Sequence, residues 1–175
     1  MGKDATGPDI TGHWISIAAE PTGESWVMRE FKIEGDRWQV LFHCFADAAM
    51  TLPLFTLDVG GIYAIGGPSG TVVGAYNAIF PASRRHVLVD SDAGAGLFAS
   101  MGATIAVGER HPVTDAAFAF IPALMDAMGE YDLVALRNGQ LFFGDRNGDL
   151  TKVRPTALTP FALARVGAER KTSES

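Results

Sequence analysis

The chain has little of what would mark an exported or nucleic-acid-binding protein. Cys44 is the single cysteine of 175 residues, so no disulfide can close within the chain. No Cys/His spacing resembles a zinc site. Charged residues make up only 19% and the formal net charge is -6. The longest basic cluster is Arg84-Arg85-His86, read as a turn between strands. Nothing here could neutralise a row of phosphates, which excludes nucleic acid as a partner. Met1-Gly2-Lys3-Asp4-Ala5 lacks the charged-then-apolar pattern of a secretory leader, and no apolar run reaches membrane-spanning length. The reading is a cytoplasmic protein in a reducing compartment. There is no Gly-x-Ser-x-Gly elbow. Gly66-Gly67-Pro68 and Gly94-Ala95-Gly96 lack the Lys/Ser pattern of a phosphate loop. Asp145-Arg146-Asn147-Gly148-Asp149 lacks the spacing and terminal Glu of a calcium loop. Neither cofactor nor metal is expected.

What is abundant is apolar: 47% of residues are hydrophobic and 11 are Phe. One domain of ordinary size can build a core from that. So little charge points to an internal cavity, an oligomer contact, or both. Ile10 to Ser16 reads as an opening strand built on Gly12-His13-Trp14, with a corner at Glu20-Pro21-Thr22-Gly23. From Ser25 the residues alternate. Val27, Arg29, Phe31 and Ile33 share one face, while Trp26, Met28, Glu30, Lys32 and Glu34 share the other. Arg29 falls among the apolar set, so its charge requires a partner. After a hairpin at Glu34-Gly35-Asp36-Arg37, the next strand splits Trp38, Val40, Phe42 and Cys44 from Gln39, Leu41, His43 and Phe45.

A fourth strand begins near Thr51 and bends at Gly60-Gly61. Residues 66–70 read as a loop, and strands follow over 71–80 and 85–90, making a meander. Asp92 to Gly108 fits either a short helix or a strand. Phe118, Ile121, Leu124, Met125 and Met128 recur at helical spacing after Thr114, with Gly129 as the stop. That segment is expected to cover one end or side of the sheet. Asn138-Gly139 marks a hairpin between Tyr131 to Leu136 and Gln140 to Gly144. A last strand covers 161–166. The expected organisation is a flexible arm over 1–9, one mainly β domain over 10–166 and a flexible tail over 167–175. The domain would be a curved antiparallel sheet or calycin-like β-barrel with one helical segment over an end.

These stretches together resemble the domain of the adenomatosis polyposis coli down-regulated family. The likeness begins at Gly12-x-Trp14, Ser16, Glu20-Pro21, Arg29 and Phe31, and continues at Asp47 and Thr51-x-Pro53-x-Phe55-Thr56-Leu57. It returns at Glu130-Tyr131-Asp132-Leu133, Gly139 to Arg146 and Arg154-Pro155-Thr156. The resemblance implies a lipocalin-like barrel with an apolar pocket that takes lipid. Family members are secreted or membrane-anchored Wnt antagonists. The family's cysteines fall here at Ala19 and Met50. That departure fits an intracellular single-module relative, so the fold and the apolar cavity are carried over and Wnt binding is not.

The resemblance also implies an end plug of Gly12, Trp14 and Arg29, with the guanidinium over the indole. Ligand-binding candidates are Arg29, Trp38, Leu41, His43, Phe45, Tyr63 and Tyr76. Trp26, Phe42, Phe118, Phe120, Met28 and Met125 add to an aromatic and Met content beyond what a dry plug needs. His43 is the candidate acid or base near neutral pH, with Asp47 orienting it only if the chain folds back after the strand. The first functional expectation is binding of a hydrophobic small molecule, such as a lipid, polyketide or isoprenoid, in the barrel cavity. The alternative is a cofactor-free isomerase or cyclase that works by proton transfer. A homo-oligomer is the third expectation.

Overall fold

A computed structural model describes residues 7–114 and 130–167. The protein is mainly β, a curled antiparallel sheet that forms a half-barrel. Its strands are β1 (Gly12–Ser16), β2 (Glu20–Thr22), β3 (Ser25–Glu34), β4 (Arg37–Phe45), β5 (Pro53–Ile62), β6 (Ala64–Pro68), β7 (Tyr76–Ile79), β8 (Arg84–Val89), β9 (Arg110–Pro112), β10 (Tyr131–Arg137), β11 (Gln140–Phe143) and β12 (Leu163–Arg165). One helix, α1 (Asp92–Ser100), follows β8.

The sheet order is β6-β7-β10-β11-β12-β1-β3-β4-β5-β8-β9, with β2 paired to β3. Only Tyr63 separates β5 from β6. One run of chain therefore supplies both ends of the stretch from β6 to β5, which draws the sheet round on itself. β8 and β9 extend beyond β5 as a leaf. The meander expectation holds through β3-β4-β5 and then fails. The residues read as a loop at Gly66-Gly67-Pro68 belong to strand β6, which pairs antiparallel with β7. The bend is enforced by contact: a Cβ on Gly61 would collide with the Pro81 carbonyl.

The undecided segment after β8 resolves as a helix. Ser91 caps it by accepting from the Gly94 amide at 3.1 Å, and Asp92 stands in its first turn. Gly94 lets the helix lie on the Leu54 carbonyl, where a side chain would not fit. Phe98 is fully buried there against Phe55, at a ring separation of 5.1 Å. The helix expected over 114–129, with Phe118, Phe120 and Met125, lies outside the described residues apart from Thr114.

The inner face carries the main core. Phe31, Trp38, Phe80 and Phe143 are buried, with Tyr63 and Tyr76 packed against them. Phe143 stacks on Phe31 at 4.6 Å and meets Phe80 edge-on at 5.5 Å. Phe80 in turn touches Trp38 at 5.5 Å and Tyr63 at 5.4 Å. These rings run across the barrel from β3 and β11 to β4.

Candidate functional site

Arg29 has the partner its position demanded. Its Nε donates to Glu20 Oε1 at 2.9 Å, and Ser16 Oγ donates to the same oxygen at 2.8 Å. Arg29 Nη2 donates to the Phe161 carbonyl at 3.0 Å. Both ion-pair side chains are about nine-tenths buried, so each satisfies a charge that would otherwise be costly. The guanidinium lies 5.8 Å from the Phe143 ring centre.

The plug therefore needs one correction. The cation over Trp14 is Arg165, 4.3 Å from the ring centre, rather than Arg29. Register explains it, since Trp14 is the direct cross-strand partner of Arg165. Arg165 Nη1 also donates to the Thr11 carbonyl at 2.7 Å, and Trp14 Nε1 donates to the Ile10 carbonyl at 2.9 Å. Gly12 belongs to the plug as expected. Its φ of +131° suits glycine, and a Cβ there would strike the Arg165 guanidinium.

The expected ligand-binding residues do not form one group. Arg29, Trp38, Tyr63 and Tyr76 belong to the inner face or pack against it, whereas Leu41, His43 and Phe45 point outward from β4. The outward set lines an open cleft of about 500 Å³, with Gln39, Cys44, Pro53, Thr56, Asp58, Leu88, Asp90 and Arg110. Its floor is the outer face of β4, β5, β8 and β9. Strand register sets the layout: His43 pairs with Thr56, Thr56 with Leu88, and Leu88 with Arg110. Leu41 lies between Glu30 and Asp58.

One string of polar groups runs diagonally over this floor. His13 Nε2 is 2.7 Å from Glu30 Oε1, and His43 Nε2 is 3.1 Å from Glu30 Oε2. His43 Nδ1 lies 3.2 Å from Thr56 Oγ1, which donates to Asp90 Oδ2 at 2.8 Å. The Thr56 hydroxyl is committed to Asp90, and the tautomer of His43 sets which of its ring nitrogens donates. Burial alone would push the Glu30 carboxyl up, but its hydrogen bonds to His43 and His13 and the Lys32 charge outweigh that and hold it low.

Asp47 takes no part in this string. Its carboxylate accepts from the Thr51 amide and hydroxyl and from the Leu52 amide, at 3.0, 2.7 and 2.9 Å. Those contacts, the Thr51 hydroxyl first, lower its pKa. It is a loop staple, and Glu30 and Thr56 hold His43 where Asp47 was expected to.

A second string centres on Asp58. Gln39 Nε2 and Arg84 Nη1 donate to its Oδ1 at 2.9 and 3.0 Å, and Arg110 Nη2 donates to its Oδ2 at 2.7 Å. Desolvation would raise this carboxyl, yet the Gln39 and Arg110 hydrogen bonds and the Arg84 charge bring it below the ordinary value. Arg110 Nη2 also lies 3.2 Å from His86 Nδ1. A guanidinium can only donate, so His86 Nδ1 accepts and the ring is neutral. Burial and the Arg110 charge lower the His86 pKa accordingly. Cys44, at the cleft margin, is an inert thiol pushed up to about 12 by burial and by Asp90. Among the described residues, no His, Cys, Asp and Glu cluster could hold a metal, and no helix is long and apolar enough to cross a membrane.

Glu30, Thr56, Asp90 and Arg110 were missed as site residues. Asp90 shares the period-two face of His86 and Leu88, which was a usable signal. Arg110 comes from a three-residue strand, too short to show a period.

Fold and site together define a small antiparallel barrel-type domain with a packed interior and an open polar–apolar cleft on its outer face. The family model for adenomatosis polyposis coli down-regulated 1 matches residues 3–112, and the chain belongs to that family. The match spans β1 to β9, so it contains every residue lining the cleft. No curated protein matched the chain.

Proposed function

We propose that the domain binds an amphipathic, lipid-like small molecule in the outer cleft. The observation that carries this reading is the arrangement of Leu41 and Leu88 between two hydrogen-bonded polar strings, with Phe45 beyond His43, around about 500 Å³ of open space. Ligand sites are typically roughly 300–1,000 Å³, largely apolar, with a few fixed polar groups. The stacked interior rings favour this cleft over the barrel centre, where a ligand would have to displace them. Native mass spectrometry of the purified protein, followed by extraction, tests the reading. A stoichiometric apolar or amphipathic compound is expected; a chain that stays free of every lipid class offered to it contradicts the proposal.

The hydrogen-bonded Glu30–His43–Thr56–Asp90 string favours a second reading, a cofactor-free isomerase or cyclase acting on such a compound. His43 and its carboxylate partners would then move a proton. His43→Ala separates the two. Binding without turnover of a captured compound supports the first reading, and turnover that disappears in the variant supports the second.

A further inference from the structure

The charge at the Asp58 end of the cleft carries the ligand assignment further, and it rests on the binding reading above. Two guanidinium groups, Arg84 and Arg110, meet one carboxylate. The neighbouring His86 is neutral, so one positive charge is left over. Asp58 is nearly buried, with its side chain 6% exposed, while Arg110 is 51% exposed and lines the cleft. Asp58 and His86 both engage Arg110 through Nη2. Among the described residues, its Nε and Nη1 make no hydrogen bond. The group is thus held in place with donors left over, beside Leu88. Arg84 is fixed as well: it lies against the Gly60 backbone, where a Cβ would come within 2.7 Å of its Nη2.

We infer that Arg110 is the head-group anchor of the cleft, and that the ligand is an amphiphile with a carboxylate head and an apolar chain lying over Leu88 and Leu41. The free Nε–H and Nη1–H groups suit a carboxylate better than a hydroxyl, because a charge-assisted N–H···O⁻ bond is stronger than one to a neutral oxygen. Asp58 is a positioning residue that sets the angle of the guanidinium. The opposite end of the cleft is lined by Asp90, whose like charge disfavours a carboxylate head there.

Calorimetric titration of the full chain with decanoate and with decan-1-ol tests this. Decanoate should bind about tenfold to a hundredfold more tightly than the alcohol, as a charge-assisted pair predicts. Arg110→Gln should remove that preference. Equal binding of acid and alcohol to the wild type overturns the anchor while leaving the cleft as a binding site. Binding of neither overturns the inference together with the reading beneath it. Circular dichroism checks that Arg110→Gln is folded; if it is not, the wild-type comparison alone decides.

Discussion

The two faces of β3, β4 and β5 are made by the same backbone and do opposite work. Inward, Phe31, Trp38 and Val40 are buried, and the one charged group, Arg29, is answered by Glu20. Outward, Glu30, Leu41, His43, Thr56 and Asp58 form a floor in which polar groups bond each other and leave leucines accessible between them. The contrast separates a filled interior from the outer face on which the proposed ligand would lie. Apolar volume serves stability inside, and on the proposed reading selectivity lies on the face where water already reaches the polar groups.

The largest break in that contrast should come from the inside. Phe143→Ala removes a ring that touches Phe31 and Phe80 and lies beneath Arg29. It should cost about 3–5 kcal/mol, read as a lowered urea midpoint with an unchanged slope. On the outer face, Leu41→Ser should cost under about 1 kcal/mol, as for a half-exposed site. It should nevertheless weaken binding of the cleft's ligand by titration. If the two variants exchanged these effects, the division of labour between faces would be wrong.

The smallest effect sharpens the outer face alone. Glu30 has a folded-state pKa below its unfolded value. Its stabilising contribution is present above the usual carboxylate pKa of about 4.3 and is lost as pH falls through the lower folded value. Wild-type stability should therefore fall more steeply with acid in that window than the stability of Glu30→Gln. Denaturant midpoints measured across it check the slope; parallel curves would mean that the His13–Glu30–His43 contacts add nothing.

Much of the fold was legible in the sequence because period two is a local signal. The two faces of β3 and β4 read correctly, and Asn138-Gly139 takes the positive φ values, 52° and 74°, of its expected hairpin turn. The errors arise where distant register decides. Which Arg covers Trp14 depends on β12 pairing with β1, a relation across 150 residues that no local pattern announces. The path of the chain after β5 depends on Gly61 meeting Pro81. The site was half legible for a different reason. Trp38, Tyr63 and Tyr76 were joined to Leu41, His43 and Phe45 by residue type, although β4 alternation already set Trp38 on the opposite side from His43. Asp58 and His43 are polar groups within strands β5 and β4. Their partners Arg110 and Asp90 come from a short edge strand and a strand end, where periodicity runs out.

The central claim is that the ligand meets the outer face and not the ring-filled interior. Methyl-labelled protein titrated with decanoate and followed by NMR tests it directly. The account predicts that the methyl signals of Leu41 and Leu88 move with a saturable dependence, while those of Val40, Val59 and Leu141 stay in place. Movement confined to the inner-face methyls, with Leu41 and Leu88 unchanged, would contradict it.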